Sequence, residues 1–580
     1  MATEEELARS IQHKLEHRVP RSEWTEEERQ WHKEEKKRAK EAEKAAKAAR
    51  AADEEATAAA TGNVQALAMN VASLRVDDSE GRFGRYELGA LAGAGATAAG
   101  TSRRWMSLAD LAAHRLPESL NVESVWVRGR VQAVRAQGSK MAFVVLREGY
   151  ATLQVVCTAA PAGASADADA ACAVPVPREM VRWVTRSGEL SAESIVDVCG
   201  RLQPAAVKSC SIADREMVAE RMYVVSRAAP VLPFELEDAA RPRDDPGAHV
   251  HRDTRLDHRV LDLRVPAHQA IMRIQAGVCQ LFRECLSSPA MGFTEIHTPK
   301  IIGGVSEGGT EVFRLKYFEH DACLAQSPQL YKQMAVCGDM RRVFEIGPVF
   351  RAENSNTYRH LAEFVGLDVE MEIREHYHEV MQVLDAVFRY VFQGLEKRYA
   401  AELECIQRQY PFVPLRYHRE RSVRLTHAEA VQLLHEHGHE MGELDDFSSE
   451  LEKALGEIVA QRYHTDFYIV DRFPASCRPF YTMPAPDDAR YTNSFDVFMR
   501  GEEMVSGAQR IHDLAVLEQR AAAKGIDVIT LADYLEAFRY GAPPHGGAGI
   551  GLERVVMLYL NLGNVRECSL FPRERKRLHP

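Results

Sequence analysis

Gly347-Pro-Val-Phe-Arg-Ala-Glu-Asn354 decides how the rest of this 580-residue chain is read. An apolar run from Val343 ends at Arg351, a polar stretch from Glu353 to His360 follows, and a second run resumes at Phe364. This pattern predicts two strands joined by a polar loop, with an arginine where the first strand ends. Side chains alternate across a strand, so Phe364, Gly366, Asp368 and Glu370 share one face and Val365, Leu367, Val369 and Met371 the other. The second set predicts a core. The first sets an aromatic ring beside carboxylates, an odd choice for a purely structural face because unpaired buried acids are costly. With Arg351 across the hairpin, such a face can hold a phosphate and a nucleobase together.

Working outward, Gly549-Ile-Gly-Leu-Glu-Arg554 places a second arginine in a helix that opens after a glycine run. Phe495-Asp-Val-Phe-Met-Arg-Gly-Glu-Glu-Met-Val505 predicts another hairpin, whose turn around Met499 to Gly501 sets Asp496 opposite Glu503. Two facing carboxylates suit Mg²⁺ on a polyphosphate, because this ion takes one or two carboxylates plus substrate oxygens. Upstream, Ile271, Ile274, Val278, Leu281, Phe282 and Cys285 follow helical spacing. Gly292 is read as the end of that helix, and Gly292-Phe-Thr-Glu-Ile-His-Thr-Pro299 as the entry to a strand.

In this order the segments at 292–299, 347–354 and 549–554 resemble motifs 1, 2 and 3 of the class II aminoacyl-tRNA synthetases. From about Arg255 to Pro580 the resemblance narrows to aspartyl-tRNA synthetases of eukaryotic or archaeal type. Ser306-Glu-Gly-Gly309, Gln326-Ser-Pro-Gln-Leu-Tyr-Lys-Gln333 and Ser569-Leu-Phe-Pro-Arg573 carry that narrower match. It implies ATP-dependent ligation of L-aspartate to tRNA(Asp) through an aspartyl-adenylate, with Mg²⁺ as cofactor. Carried over by position, Arg351 would bind the α-phosphate and Glu353 the adenylate side, with His360, Leu361 and Gly551 completing the ATP site. Phe364 would stack on adenine, while Arg554 would cover its other face and reach the γ-phosphate. Asp496 and Glu503 would hold Mg²⁺.

Lys332 and Arg510 would meet the side-chain carboxylate of aspartate. Ser306, Glu307, Gln329, Asp368 and Ser506 would complete that site. On this reading asparagine would leave Lys332 and Arg510 as desolvated cations without a counter-charge, at roughly 3–5 kcal/mol. Motif 1, with Pro299, would form a homodimer interface. Two positions depart from the family pattern: Tyr358 stands where histidine is frequent, and Ala548 interrupts the motif 3 glycines.

Short β-type runs with turn residues between them predict a small barrel, and the resemblance implies an α+β chain in which a five-stranded OB-fold β-barrel precedes the class II catalytic domain, an antiparallel sheet flanked by helices. The expected divisions are a charged helical extension over 1–60, a linker over 61–104, the barrel over 105–235, a hinge over 236–262 and the catalytic domain over 263–580. In the extension Lys33, Lys36, Lys37, Lys40, Lys44 and Lys47 fall on one helical stripe, either a solvated face or an arm for tRNA phosphates. Gly93-Ala-Gly95 and its neighbours miss the spacing of a phosphate loop. The barrel rests on the β-rich runs Val125–Val131, Ala142–Leu146, Leu153–Val156 and Ser194–Val198, with a surface insertion from Thr158 to about Pro177. Resemblance to the family's anticodon module implies that Phe143 would stack on a base while Arg135, Gln137, Gln154 and Glu193 contact base edges.

A net charge of -11 does not exclude a polyanion partner, since a local basic patch suffices. Eleven cysteines without a C-x-x-C pair point to a reducing compartment, and the acidic N-terminus and lack of an 18-residue apolar run point to cytoplasm and no membrane span. His435-Glu-His-Gly-His439 fits a zinc-protease pattern, but Gly438 falls where the helix should end, so the two histidines should not share a face. His376 and His378 are read as exposed helix residues. The rival functions are an asparaginyl-tRNA synthetase, a non-catalytic RNA-binding paralogue and an amide-forming ligase. Membership of a larger synthetase complex is left open.

Overall fold

The computed structural model describes residues 20, 25–26, 82–85, 103–113, 124–159, 176–186, 189–303, 312–352, 354–355 and 357–579. The lysine stripe of 1–60, nearly all of the 61–104 linker, most of the 158–177 insertion, and Ser306, Glu307 and Glu353 lie outside them. The chain divides into two compact units, one comprising Met1–Leu146 with Leu153–Ala228, the other Arg147–Thr152 with Ala229–Pro580.

In the first unit, β1 (Phe83–Arg85), β2 (Val125–Gln137), β3 (Met141–Glu148), β4 (Ala151–Thr158), β5 (Ile195–Pro204) and β6 (Arg215–Ser226) form one sheet in the order β1-β6-β4-β3-β2-β5. Pairing of β5 with β6 closes β2 to β6 into the five-stranded barrel, and β1 adds a short parallel strand outside β6. Val125, Val127, Val131, Ala142, Val144, Leu153 and Val155 are fully buried, as period-two alternation demands. The sequence runs did not mark β6. Charges at Glu216, Glu220 and Arg221 interrupt its apolar positions, and register shifts at Ile195/Val196 and Cys199/Gly200 displace the alternation.

The second unit is built on eight strands in the order β13-β14-β15-β16-β17-β12-β11-β7. These are β7 (Thr294–Glu295), β11 (Arg342–Phe350), β12 (Glu363–Glu372), β13 (Val423–Thr426), β14 (Phe467–Asp471), β15 (Ser494–Met499), β16 (Glu502–Gln509) and β17 (His545–Gly551). A smaller sheet joins β8 (Ile301–Ile302), β9 (Arg314–Tyr317) and β10 (His320–Leu324). The large sheet is antiparallel except at its edges, where β13 runs parallel to β14 and β7 to β11. Helices α1 (Pro266–Leu286), α2 (Gln329–Cys337), α3 (His378–Arg398), α4 (His427–Glu436), α5 (Ser449–Tyr463) and α6 (Leu552–Tyr559) flank it.

Leu367, Val369 and Met371 of β12 pack with Ile271, Ile274, Val278, Leu281 and Phe282 of α1 in the largest buried cluster. The helical spacing read from the sequence therefore holds, but α1 stops at Leu286. Gly292 stands in a later turn, where its φ of +68° suits a residue without a Cβ.

Residues 236–262, expected as a hinge, fall within the second unit. Arg255 pairs with Glu567 at 2.7 Å, and Asp262 receives Arg255, Arg259 and His268, all buried. These five charged or polar groups, buried together, anchor the segment 252–262 into the second unit.

Helix α4 starts at Thr426 through a capping box with Glu429 and ends at Glu436, before Gly438 turns to a φ of +82°. His435 and His439 thus fall on either side of the helix end, and the His435 ring contacts the Met441 carbonyl at 3.0 Å. His376 precedes α3, whereas His378 opens that helix half-buried with its ring 3.3 Å from Asp471. The expectation of two exposed helical histidines is corrected accordingly.

At the start of α4 the His427 ring is buried between Phe447 and Phe473, and burial holds its pKa down to about 4. An unfolded histidine titrates near 6.5. The stabilising contribution is therefore complete above that pH and is lost as the medium acidifies through 6.5 toward 4, to about 3 kcal/mol. His427→Phe should flatten the melting temperature across this window. An unchanged pH profile would assign the titration elsewhere.

Candidate active site

Strands β12, β16 and β17 lie side by side at the centre of the sheet, so their upper-face side chains converge on one cavity of about 310 Å³. Arg351 follows β11 directly, and its N–H donates to the Ala362 carbonyl at 2.9 Å, closing the loop above the hairpin. Its guanidinium lies 5.6 Å from the centre of the Phe364 ring, within cation–π range. His360 and Leu361 line the same cavity, as do Gly551 and Arg554 at the β17–α6 junction. The Arg554 Nη1 donates to the Glu503 carbonyl at 3.1 Å.

Behind Arg351 the loop is docked on α5. The Tyr358 hydroxyl donates to Glu502 at 2.9 Å with Lys453 over its ring, and Arg359 donates to the Ser449 hydroxyl at 2.7 Å. Tyr358 thus takes a specific partner through the hydroxyl that a histidine at that position would lack.

The floor is a buried charge network. Lys332 on α2 is 1 % exposed, its Nζ 2.9 Å from Asp368, 3.1 Å from the Ala548 carbonyl and 3.6 Å from Glu370. Arg510 gives Nε and Nη2 to Glu370 at 3.0 and 3.2 Å, and Nη2 also to Gln329 at 3.3 Å. Burial pushes the Glu370 carboxyl up, but Arg510 and then Lys332 pull it down further, and the net result lies below the usual carboxylate value. The glycines of β17 make room for these acids. A Cβ on Gly547 would meet a Glu370 oxygen at 2.3 Å, and one on Gly549 would meet Asp368 at 3.3 Å. Ala548 points to the other face, into the core, where a methyl is accommodated.

Two expectations are corrected here. Lys332 and Arg510 already hold counter-charges in Asp368 and Glu370, so asparagine would not strand them; Lys332 is also absent from the cavity lining, whereas Gln329, Asp368, Ser506 and Arg510 are present. Nor does Asp496 face Glu503. The two-residue turn at Arg500 and Gly501, both with positive φ, pairs Met499 with Glu502. A bulge at Val497/Phe498 then sets Glu503 across from Phe498 and Asp496 across from Ser506.

Both Asp496 oxygens accept from Arg478, at 2.9 and 2.6 Å, and Arg478 also donates to Ser506 at 2.8 Å while covering the Phe473 ring. Arg478 lines the cavity; Asp496 does not. Sequence reading missed Arg478 because a lone arginine before Pro479 carries no periodic signal. It also gave Glu370 no role as the shared counter-ion.

Glu503 does line the cavity, and its carboxyl is pushed up to about 7 by burial and by Asp496, against Arg554 and Arg478. A carboxylate raised by a neighbouring carboxylate is relieved by a cation, so Glu503 fits as a Mg²⁺ ligand, whereas Asp496 is already paired with Arg478. Among the described residues no group of three or more His, Cys, Asp or Glu could hold a metal by itself, so substrate oxygens would complete the coordination.

The family described as tRNA synthetases class II (D, K and N) matches residues 251–575, and an OB-fold nucleic acid binding domain matches 125–225. Aspartate–tRNA ligase 1, cytoplasmic, of Arabidopsis thaliana is 50 % identical over 475 residues, 80 % of this chain and 85 % of the relative. The cytoplasmic aspartate–tRNA ligase of Homo sapiens is 48 % identical over 79 % of this chain and 89 % of its own. The chain belongs to the aspartate–tRNA ligase family.

Solved structures of the wider class agree on the fold. An aspartyl-tRNA synthetase from Entamoeba histolytica superposes with a TM-score of 0.74 at 41 % identity, covering 86 % of this chain and 96 % of that one. An asparaginyl-tRNA synthetase from Pyrococcus horikoshii, solved with asparaginyl-adenylate, gives 0.66 at 28 % identity over 80 % of this chain and 97 % of that one.

For an aspartate–tRNA ligase the barrel surface is the second place of interest. Arg135 and Gln137 lie exposed at the end of β2. Phe143 is half-exposed between the fully buried Ala142 and Val144, hence on the outer face rather than in the barrel core. The Gln154 amide donates to Glu216 at 2.7 Å, and Gln203 donates to the other oxygen of Glu216 at 2.7 Å. Glu193 differs from its expected place at a base edge: it is 4 % exposed with a φ of +68°, and its backbone carbonyl accepts from Arg130 at 3.1 Å. In the catalytic unit Pro299 is exposed beside Ile301 and Tyr317, each 47 % exposed. Among the described residues no helix is long and apolar enough to cross a membrane.

Proposed function

We propose that this chain activates L-aspartate with ATP and transfers the aspartyl group to tRNA(Asp). One arrangement carries the reading: a single cavity joins the Arg351–Phe364 pair and Arg554 to a floor where Arg510 is held by Glu370. The α-carboxylate of aspartate attacks the α-phosphorus and pyrophosphate leaves; a terminal ribose hydroxyl of tRNA then attacks the adenylate carbonyl, loses its proton, and AMP leaves as the acyl–phosphate bond breaks. Neither step uses a protein nucleophile. Catalysis rests on alignment and on fixed cations placed where phosphoryl charge grows. Glu503 would hold Mg²⁺, which would supply charge neutralisation on the phosphate oxygens.

Aspartate is preferred because Arg510 offers only donors. Its Nη1 has no partner among the described residues, and a substrate carboxylate accepts from it more strongly than a neutral amide. A charged hydrogen bond contributes about 1.5–3 kcal/mol, which predicts roughly 10- to 100-fold selection over asparagine. Pyrophosphate exchange measured with each amino acid tests this. Equal rates, or a faster rate with asparagine, would replace the assignment with the asparaginyl one.

Phe143 supports anticodon stacking, with Arg135, Gln137 and the Gln154–Glu216–Gln203 network beside it. Phe143→Ala should raise KM for tRNA(Asp) about 5- to 100-fold, in line with ~1–3 kcal/mol per stacked base. Pyrophosphate exchange should stay at the native rate; normal charging by the variant would remove Phe143 from the interface. The exposed apolar residues around Pro299 support a homodimer through motif 1. The cytoplasmic names of the relatives support the same location.

A further inference from the structure

We propose that Glu553 is a positioning residue that sets the nucleotide slot by tying the strand carrying Phe364 to the helix carrying Arg554. This inference rests on the function proposed above. The ladder between β12 and β17 ends at the pair Gly366 and Gly551, because the chain turns into α6 at Leu552. Val365 is the first residue past that last rung, and there β17 has no further backbone carbonyl to offer. The Glu553 carboxylate takes that place: the Val365 N–H donates to Oε2 at 3.1 Å and to Oε1 at 3.3 Å.

The side chain is 4 % exposed, and burial pushes its carboxyl up to about 7 against the backbone hydrogen bonds it accepts. Gln275 of α1 braces it from behind, its Nε2 donating to Oε1 at 3.5 Å and to the Cys568 carbonyl at 3.0 Å. Phe364 lies one residue before Val365, and Arg554 one residue after Glu553; both line the cavity. A single acid therefore holds the ring and the guanidinium in register. Without it, the Val365 N–H loses its acceptor and the end of β12 is free to part from α6.

The test is a set of kinetic and binding measurements on the full chain. Glu553→Ala should raise KM for ATP about tenfold or more in pyrophosphate exchange and leave KM for aspartate within about twofold. Glu553→Gln keeps one acceptor oxygen and should return both constants to within about threefold of native. ATP affinity measured calorimetrically, without amino acid, should weaken in the alanine variant by the same factor as KM. An alanine variant with unchanged ATP affinity, or with both KM values raised alike, would reduce Glu553 to ordinary helix packing and overturn the proposal. If that variant does not fold, Gln275→Ala decides. Selective weakening of ATP supports the tie, and native ATP affinity overturns it. Native protein that binds ATP but shows no aspartate-dependent exchange would instead sink the functional reading alone.

Discussion

Arg351→Ala should lower aspartate-dependent pyrophosphate exchange about 100- to 1,000-fold, the usual cost of removing one preorganised donor from a developing oxyanion. The side chain has the Phe364 ring at 5.6 Å as a recorded partner, and its Nε is buried without an acceptor among the described residues. Among the described residues no carboxylate pairs with this guanidinium, in contrast to Arg478 and Arg510. Such a charge does little for the resting fold and much for a bound phosphate. The melting temperature should therefore move by only a few degrees while exchange collapses. A loss below about tenfold would mean that Arg351 does not meet the reacting phosphate.

Glu370→Gln acts on the other half of the site, and its largest effect should be on stability. One carboxylate holds Arg510 through two hydrogen bonds and lies 3.6 Å from Lys332, all three groups being buried. Removing one member of such a buried network costs roughly 3–5 kcal/mol, because the cations remain desolvated with Asp368 as their remaining counter-charge. The pH dependence follows from the depressed pKa of Glu370. Its contribution is complete above the unfolded carboxylate value near 4.3 and is lost as pH falls through the lower folded value. Native protein should lose this increment on acidification, and the variant should show a flatter profile there. A second change, Lys332→Met, should restore part of the loss, since it removes the excess charge. Additive destabilisation by the two changes, or a native-like melting temperature for Glu370→Gln, would show that the network is not coupled.

The two expectations that changed most, selectivity by stranded cations and a facing Asp496–Glu503 pair, fail for a common reason. Each assumed that a charged side chain waits for a ligand. In the fold, the cations and acids of this site are largely satisfied by one another: Lys332 with Asp368, Arg510 with Glu370, Arg478 with Asp496. Arg351, Arg554 and the Glu503 carboxylate stand apart, without such a partner in the described residues. The two arginines are where substrate charge has most to gain.

Alternation along β12, the arginine closing β11, the helical stripe of α1 and the glycines of β17 were all legible in the chain itself, because period and backbone freedom are local properties. Four of the five barrel strands were legible for the same reason. The tertiary structure alone decided that Asp496 lies across from Ser506 and pairs with Arg478, that β6 closes the barrel, and that Glu370 is shared by Lys332 and Arg510. The partners of Glu370 lie 38 and 140 residues away in sequence, on a helix and just past the end of β16, brought to β12 by the order of the sheet. Local pattern states which side chains leave a strand on one face. Which opposite charges await them there depends on strand order and register, and these are set by packing across the whole sheet.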